Sequence, residues 1–412
     1  MSDGNSESLP KGIQLTPFDP TYKQDPYAVL NSLRERAPVM HDDQFNRWYL
    51  TRFDDVRQIL RDKDMSADPR KANPNSYIAR ISALTTGATG STAVSMLFMD
   101  DPDHRRVRGL VNKAFTLKAV EALRPRVRQI ADGLLAAVPD GEFDLMAVFG
   151  AQFPVIVIAE MLGINPDDRD SFRRWSDITV ATFFNPFRTP EQGQAAAAAQ
   201  QELNEYFLRM IELRRRSPGN DLVSAMVHAE EGGDRMSSEE IVTQSNLLLI
   251  AGNVTTTDLI GNGVKALLEH PDELAKLRAR PELIGNAVEE ILRFDSPVTN
   301  SGRNVQRELS MRGCPMHLGE SVTVSLAAAN HDPEVNPEPA RFEIERAGIQ
   351  HQSFGGGKHT CLGAPLARVE AQEGLLALLA RFSRLQPSQR GFQYRSVPGF
   401  RGMSEYWVTG DR

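Results

Sequence analysis

One long helical segment constrains the fold of this chain more than any other feature. It covers about residues 238–269, opens with the capping-box spacing of Ser237 and Glu240, contains the apolar run 247–250, and stops before Pro271. At a rise of about 1.5 Å per residue, such a helix is on the order of 45 Å long, enough to cross a whole domain. Because its middle is apolar, the segment predicts a long helix buried in the core.

The centre of the predicted helix is a poor sequence for a regular helix. Residues 251–258 read Ala-Gly-Asn-Val-Thr-Thr-Thr-Asp. Gly costs about 1 kcal/mol relative to Ala, and β-branched residues lose rotamer freedom in a helix. Successive threonines can also turn their hydroxyls onto carbonyls one turn back, which bends a helix and opens a groove. The pattern favours a functional site, and a packing kink is the alternative.

A second segment has the chemistry of a metal ligand. Residues 354–363 read Phe-Gly-Gly-Gly-Lys-His-Thr-Cys-Leu-Gly, so Cys361 lies in a glycine-rich run two residues after His359. Glycines let backbone N–H groups approach a sulfur atom, and the pKa of a thiol falls when a cation binds it. Cys361 therefore suits a buried thiolate ligand of a metal.

The spacing of the glycine-rich segment does not match three other kinds of binding site. A phosphate loop needs Gly-Lys followed by Ser or Thr, but Lys358 is followed by His359. A c-type haem attachment needs two cysteines before a histidine, and a structural zinc site needs several Cys or His residues close together. Two alternatives stay open, a Cys–His nucleophilic pair and a glycine-rich loop with an inert buried cysteine.

The pattern Phe354-Gly-x-Gly-x-His-x-Cys-x-Gly363 resembles the haem-binding loop of the cytochrome P-450 family. Four further segments match that family in order, along nearly the whole chain. The resemblance implies a b-type haem, iron protoporphyrin IX, with the thiolate of Cys361 as the axial iron ligand. It also implies that Phe354, His359 and Gly363 belong to the cofactor-binding loop.

The second matching segment contains Glu290 and Arg293, in a predicted short helix over residues 281–294. Their offset of three places both on one helical face, where they can pair. An exposed ion pair is the usual meaning of this spacing. The resemblance implies instead a buried structural network behind the haem, formed by these two residues and Arg341, which should be sensitive to single substitutions.

The third matching segment covers residues 98–108. His104 and Arg108 are four residues apart, so they project from one face of a helix. The resemblance implies that this pair contacts a haem propionate and that Arg303 and His359 provide two more contacts. Each side chain alone also fits a solvated basic residue, but together they predict a cationic ring for a dianionic cofactor.

The fourth match is the weak centre of the long helix, where the resemblance implies a groove for dioxygen and water. Gly252 and Thr255 are the implied catalytic residues, and Thr255 aligns with the alcohol of the family. Val254 stands where most members have Asp or Glu, which leaves the usual proton-delivery route in question. A nitric oxide reductase branch of the family also has an apolar residue there.

Asp258 is a candidate for the missing acid. At about 100° per residue, Ala251, Thr255 and Asp258 fall on nearly one stripe of the helix. Asp258 could therefore feed protons through ordered water to Thr255. The alternative is that Asp258 is a capping or ion-paired residue.

The fifth match covers residues 329–333, with His331 where family members commonly have Arg, and the helix that follows the cysteine loop. The N-terminus of that helix begins just after Cys361. Its dipole therefore also favours a thiolate.

The sequence predicts a mainly α fold with a minor β-sheet, which the resemblance identifies as the single-domain cytochrome P-450 fold with a long central helix crossing over the haem. No linker, repeat or charge block separates the motifs. We therefore expect a flexible tail over residues 1–15 and one catalytic domain over residues 16–412. The other predicted helices cover residues 25–36, 52–61, 117–138, 154–162 and 189–216, and the predicted strands cover residues 48–50, 298–304, 321–324 and 406–409.

Composition and charge limit the partners. The formal net charge of −7 and the absence of a basic tract argue against nucleic acid. There is no run of about 18 apolar residues, and the first fifteen residues lack an apolar signal-like core. We expect a soluble, cytoplasmic monomer without membrane attachment. With Cys314 as the only other cysteine, no structural disulfide is expected.

The substrate is the least constrained part of the prediction. Residues 66–95 have the composition of a mobile lid or of a plain surface loop. We expect an apolar organic molecule with one polar group. The residues that the resemblance assigns to substrate-facing segments are Leu248, Ala251, Val298, Asn300, Phe183, Phe184 and Phe187.

As a whole, the resemblance implies a haem-thiolate monooxygenase that inserts one oxygen atom from O2 into an apolar small molecule, by hydroxylation or epoxidation. Electrons would come from NAD(P)H through a separate ferredoxin or flavodoxin. Lys113, Lys358 and Arg368 are candidates for a cationic docking face for that acidic carrier. The alternatives are a nitric oxide reductase-like or peroxide-driven enzyme, and a haem protein that only binds or senses a ligand.

Overall fold

A computed structural model describes residues 8–86, 93–112, 115–183, 189–230 and 233–412. Within these ranges the chain forms fifteen α-helices and ten β-strands. The helices are α1 (Pro20–Gln24), α2 (Pro26–Arg36), α3 (Phe53–Arg61), α4 (Tyr77–Thr86), α5 (Asp103–Asn112), α6 (Leu117–Ala136), α7 (Gln152–Leu162), α8 (Arg169–Phe183), α9 (Pro190–Arg216), α10 (Leu222–His228), α11 (Ser238–Glu269), α12 (Pro271–Ala279), α13 (Ile284–Phe294), α14 (Leu326–Asn330) and α15 (Ala364–Arg381).

The fold is mainly α with a minor β component, as the sequence predicts, and its strands form three small sheets. The largest sheet has the order β1-β2-β8-β5-β3, with β2 and β8 parallel and the other neighbours antiparallel. A second antiparallel sheet has the order β4-β10-β9, and β6 pairs with β7. The strands are β1 (Val39–Asp42), β2 (Arg47–Leu50), β3 (Met65–Ser66), β4 (Gly141–Asp144), β5 (Asn300–Val305), β6 (Leu309–Met311), β7 (Cys314–Met316), β8 (Ser321–Ser325), β9 (Arg384–Tyr394) and β10 (Met403–Asp411).

Helix α11 is the long helix that the sequence predicts. The capping box is present: the amide of Glu240 donates to Ser237 Oγ at 3.1 Å, and the amide of Ser237 donates to the Glu240 carboxylate at 2.8 Å. Helices α7, α9, α13 and α15 pack against α11, and most of its side chains are buried in the larger hydrophobic core. Helix α11 is thus held against α15, the helix that follows the cysteine segment.

The folded part of the chain begins earlier than residue 16. Residues 1–7 lie outside the described ranges, but Gly12–Leu15 forms a 3-10 helix. Leu15 is buried, and the amide of Gly12 donates to the Asp42 carboxylate at 3.0 Å. The predicted tail over residues 1–15 is therefore too long, because an apolar side chain and a backbone hydrogen bond attach its last residues to the domain.

Among the described residues, no helix is both long and apolar enough to cross a lipid bilayer.

Candidate active site

The cysteine loop closes on itself just before α15. The amide of Cys361 donates to the carbonyl of Phe354 at 2.8 Å. Gly357 has a φ of +67°, and a Cβ there would lie 2.3 Å from the carbonyl oxygen of Leu60 at the end of α3. Only glycine satisfies both the left-handed backbone and this close approach. The glycine pattern of the loop therefore follows from its packing against α3.

The thiol of Cys361 lies in a mixed electrostatic environment. Burial raises its pKa above the usual value, while the amides of Gly363 and Ala364 and the guanidinium of Arg108 oppose that rise. The residue nevertheless has exposed surface. A group that is surrounded by protein but keeps accessible surface lies on the wall of an internal cavity. The amides and the cation are positioned to stabilise a thiolate there.

Three side chains beside the loop form a buried basic cluster. The rings of His104 and His359 lie 4.2 Å apart, and the Nε2 atom of each is buried without a hydrogen-bond partner. Arg303 is 6% exposed and makes no ion pair with a described residue; its guanidinium donates only to Ser301 Oγ at 3.1 Å and the Gly302 carbonyl at 2.7 Å. Buried polar atoms without a partner are costly, and the charge of Arg303 favours an anionic acceptor beside them.

The pKa values of the cluster have the same cause. Burial lowers the pKa of Arg303 to about 10. Burial, followed by the nearby charge of Arg303, lowers the pKa of His359 to about 3. An added carboxylate would relieve both effects, because it favours the charged form of each base. The donor set therefore fits the propionates of a haem, as the sequence predicts for His104, Arg303 and His359.

One carboxylate near the cluster was missed by the sequence analysis. Asp100 is bonded by Lys71 at 2.8 Å and by Lys358 at 3.4 Å, and Ser66 also donates to it. Asp100 is thus already committed to two lysines. Through Lys71, Asp100 contacts the chain just before α4, and through Lys358 it contacts the cysteine loop. It forms no ion pair with Arg303 among the described residues.

Arg108 faces the cysteine loop itself. It is half-buried, and its Nη2 donates to the carbonyl of Thr360 at 2.5 Å. Burial lowers the pKa of Arg108, which the proximity of Cys361 opposes. The guanidinium therefore lies beside the thiol, one turn of α5 beyond His104, and the propionate contact that the resemblance implies for Arg108 stays a prediction.

The network on α13 is present, but one of its predicted members is wrong. Glu290 and Arg293 are both fully buried and pair at 2.7 Å. The second arginine on Glu290 is Arg346, whose Nε donates to Oε1 at 3.1 Å. The side chain of Arg341 is 59% exposed and pairs with Glu338 at 3.5 Å; only its carbonyl joins the network, accepting from Arg293 at 3.2 Å. Arg346 therefore replaces Arg341.

The centre of α11 has one polar, accessible side. The hydroxyl of Thr255 donates to the carbonyl of Ala251 at 2.8 Å, the one-turn back-bond that the sequence predicts. Ala251 is exposed, Gly252 and Thr255 are half-buried, and Val254 is buried in the core. An exposed alanine in a helix whose side chains are mostly buried lies on a cavity wall. The helix remains continuous through this region.

Asp258 lies on the same side of α11, but its contacts are with the C-terminal sheet. It is fully buried and forms an ion pair with Arg395. Gly402, the residue before β10, packs directly against this carboxylate, because a Cβ there would lie 1.7 Å from Asp258 Oδ1. Burial raises the pKa of Asp258 to about 6, against the opposing charge of Arg395. The ion-pair alternative from the sequence is therefore confirmed, while the relay role stays a prediction.

The predicted substrate residues divide into two groups. Leu248 is buried in the larger core, on the stripe of Ala251. Val298 instead forms an isolated antiparallel β-bridge with Phe400, and its side chain packs against the core beside the largest sheet. Asn300 accepts a hydrogen bond from the Tyr49 hydroxyl at 3.0 Å. The side chain of Phe183 and the whole of Phe184, Phe187 and residues 87–92 lie outside what the structure describes.

The predicted docking residues have partners within the chain. Arg368 pairs with Glu289 at 2.6 Å and lies 4.5 Å from the ring of Phe354. Lys358 pairs with Asp100. Lys113 lies outside the described ranges. Two of the three predicted cations are thus already neutralised by carboxylates.

A cavity-wall cysteine, a buried basic cluster that fits a dianion and a long helix with an accessible threonine together define a haem-thiolate site. The described residues contain no cluster of three or more His, Cys, Asp or Glu side chains that could hold a metal ion by themselves. Residues 49–394 match the family model for Cytochrome P-450. The chain belongs to the cytochrome P-450 family.

Known relatives support the same conclusion at full length. A vitamin D(3) 25-hydroxylase from Pseudonocardia autotrophica is 41% identical over 95% of this chain and 95% of its own. Bacillus subtilis cytochrome P-450 PksS superposes with a TM-score of 0.86 at 33% identity, over 95% and 98% of the two chains. CYP109E1 from Bacillus megaterium, in complex with testosterone, gives a TM-score of 0.84 at 33% identity, over 94% and 100%.

The protein is accordingly a haem-thiolate monooxygenase, which incorporates one oxygen atom of O2 into an organic substrate. Its cofactor is a b-type haem, and its electrons originate from NAD(P)H through redox partners. The named relatives are hydroxylases and monooxygenases, so the nitric oxide reductase-like alternative is not favoured despite Val254.

Proposed function

We propose that this enzyme hydroxylates a predominantly apolar molecule of steroid size. The observation that carries the proposal is the 41% identity, over 95% of both chains, to an enzyme named for vitamin D(3) hydroxylation. A solved relative at 33% identity binds testosterone. Both molecules are apolar carbon frameworks with few polar groups, which suits a cavity wall formed by Leu248 and Ala251.

The proposed roles of the cofactor residues follow from their contacts. Cys361 holds the haem iron, and the amides of Gly363 and Ala364 stabilise its thiolate. When bound, the haem supplies dioxygen activation and oxygen transfer. The carbonyl of Phe354 anchors the Cys361 amide, which fixes the position of the sulfur. Arg108, paired to the carbonyl of Thr360, holds a positive charge beside that sulfur.

The propionate contacts are proposed for the basic cluster. The Nε2 atoms of His104 and His359 have no hydrogen-bond partner among the described residues, and Arg303 forms no ion pair with any of them; the other ring nitrogen of His104, Nδ1, lies 3.6 Å from the Asp101 carboxylate. Each can form a charge-assisted hydrogen bond to a carboxylate. The cluster therefore orients the cofactor as well as binding it.

On the opposite wall, α11 would orient dioxygen and substrate. Gly252 carries no side chain, and a Cβ there would lie 3.4 Å from the side chain of Ile158, so its proposed role is to let α7 pack closely behind this turn of α11. Thr255 Oγ1 donates to the Ala251 carbonyl, so its lone pairs are available to accept a hydrogen bond from the cavity side. The hydroxyl of Thr255 is thus proposed to transfer protons at the active site.

Electron delivery is proposed to depend on a separate ferredoxin or flavodoxin that binds to the monomeric enzyme. Lys358 and Arg368 are bound to carboxylates of the chain itself, so their charge contributes less to docking than their sequence suggests. Turnover with purified ferredoxins and flavodoxins, measured as product per NAD(P)H, identifies the carrier.

The substrate proposal is tested by the spin state of the ferric haem. Vitamin D(3) and testosterone are titrated against the protein, with palmitate as an apolar but flexible control. We expect vitamin D(3) and testosterone to convert the haem to high spin at lower concentrations than palmitate, and to be hydroxylated in a reconstituted reaction. A response to palmitate alone would contradict the substrate class.

A further inference from the structure

The accessible stripe of α11 continues beyond the active site. Ala251, Thr255, Asp258 and Asn262 are separated by three or four residues, so they lie on one side of the helix. The first two line the cavity, and the last two contact the C-terminal sheet region. Along the axis, Asp258 lies about 4.5 Å from Thr255, a gap that one water molecule spans.

One carboxylate oxygen of Asp258 has no hydrogen-bond partner among the described residues. Its Oδ1 pairs with Arg395, but its Oδ2 is buried without a hydrogen-bond partner. A purely structural buried carboxylate would be expected to have both oxygens bonded, because unpaired buried acceptors are costly. The free oxygen lies on the only acidic side chain in the stripe.

Arg395 connects this buried carboxylate to the surface. The side chain of Arg395 is 26% exposed, while that of Asp258 is completely buried. Arg395 lines a small surface cleft together with Tyr22, Lys23 and Thr299. Solvent therefore reaches one end of the ion pair, and α11 lies at the other.

We propose that protons enter at the cleft beside Arg395 and pass through Asp258 to Thr255, in place of an acid at position 254. This inference rests on the proposed function of the site. Insertion of one oxygen atom from O2 reduces the other to water and consumes two protons and two electrons. The electrons come from the redox carrier, and the protons come from solvent through this relay.

Each proton transfer returns the chain to its starting state. Asp258 Oδ2 releases a proton to a bridging water, which passes a proton to a lone pair of Thr255 Oγ1. The hydroxyl of Thr255 then gives up its own proton, which it otherwise donates to the Ala251 carbonyl, to the oxygen atom that becomes water, and it rotates back to Ala251. The carboxylate left behind is held by Arg395 and is reprotonated by water from the cleft. Val254, buried in the core, takes no part.

The charges around Asp258 suit this exchange. Burial and the charge of Asp295 raise its pKa, and Arg395 lowers it, with the result at about 6. Asp295 is itself bonded by Arg401 at 2.7 Å and by the Tyr27 hydroxyl at 3.0 Å. The carboxyl can therefore both hold and release a proton near neutral pH.

The relay is tested with Asp258→Asn and Arg395→Met. In Asp258→Asn we expect product formation to slow roughly 10- to 100-fold, with reducing equivalents diverted to hydrogen peroxide. The substrate-induced spin change, which reports on the proposed function alone, should be unaffected. Val254→Asp in the Asp258→Asn background should restore part of the coupling. Wild-type coupling in Asp258→Asn would overturn the relay and assign the protons to the substrate side.

The Arg395→Met variant separates proton transfer from structure. Loss of the cation raises the pKa of Asp258, so the pH at which product formation declines should move upward. A structural role alone predicts no such movement. The control is Asp221→Asn, which breaks the remote, largely buried Asp221–Arg214 pair and should leave coupling unchanged. Loss of coupling in that variant too would overturn the assignment to Asp258.

A spectroscopic test needs no substrate. Infrared difference spectra of the ferric holoenzyme across pH 6 should show a buried carboxyl band that titrates in the wild type and is missing in Asp258→Asn. Absence of that titrating band in the wild type would contradict the relay.

Discussion

His104 and His359 place their imidazole rings 4.2 Å apart, and each keeps a buried Nε2 without a hydrogen-bond partner. The two residues come from α5 and from the cysteine loop, which are far apart in sequence. Such a pair is stable only if a further acceptor satisfies both rings. The relationship therefore connects the two segments through the cofactor that the cluster fits.

Removal of one side chain of the buried basic cluster should weaken haem binding. We expect His104→Phe or Arg303→Ala to lower haem affinity roughly 10- to 100-fold, because each loses a charge-assisted hydrogen bond. The measurement is the rate of haem loss to a scavenging haem protein. His317→Gln, at an exposed histidine paired with Glu308, is the control and should retain haem normally. Equal haem loss in all three variants would contradict the propionate assignment.

The α13 network predicts unequal effects for two neighbouring arginines. Arg346→Ala leaves a fully buried Glu290 with one cation fewer, so we expect a loss of about 3 kcal/mol or more in unfolding free energy. Arg341→Ala removes only exposed ion pairs and should cost less than about 1 kcal/mol. Denaturant unfolding measures both. A larger loss for Arg341→Ala would restore the sequence-based assignment.

The cysteine loop predicts a steric effect at Gly357. Gly357→Ala combines a left-handed backbone with a Cβ only 2.3 Å from the Leu60 carbonyl, so the loop must move. Gly348→Ala has a similar φ of +63° but open space, and should cost only about 1 kcal/mol. We expect Gly357→Ala to lose more stability than this control and to bind haem poorly. Similar behaviour of the two variants would show that backbone strain alone matters.

Asp258 predicts a pH-dependent stability difference. Burial raises its pKa to about 6 from the ordinary 3.8, so the folded protein favours the protonated carboxyl. That stabilisation is fully present below about pH 4 and is lost as the pH rises through about 6. Relative to Asp258→Asn, the wild type should lose on the order of 3 kcal/mol of unfolding free energy between these limits. A stability difference that does not change with pH would contradict the raised pKa.

Local sequence patterns predicted the parts of the fold that local physics controls. The ends of α11 follow from its capping box and apolar run, and the Glu290–Arg293 pair follows from helical spacing. Strand β9 was not predicted, because most of its side chains are polar and exposed and show no apolar alternation. Its partner β10 was predicted over residues 406–409, where buried Tyr406 and Val408 alternate with more accessible neighbours, but the strand extends from Met403 to Asp411.

Contacts between distant segments could not be read from spacing. Arg341 and Arg346 lie in one irregular loop, where no periodicity indicates which side chain turns inward toward Glu290. Asp258 and Arg395 are 137 residues apart, so neither position contains a signal of the other. The cysteine loop was the exception, because its glycines, histidine and cysteine are all needed within ten residues.

The identity of the iron ligand is tested most directly by the absorption spectrum of the reduced carbonyl complex. The wild type and Cys314→Ala should both show the strongly red-shifted Soret band of thiolate ligation, and Cys361→His should lack it. Retention of that band in Cys361→Ala would contradict the account.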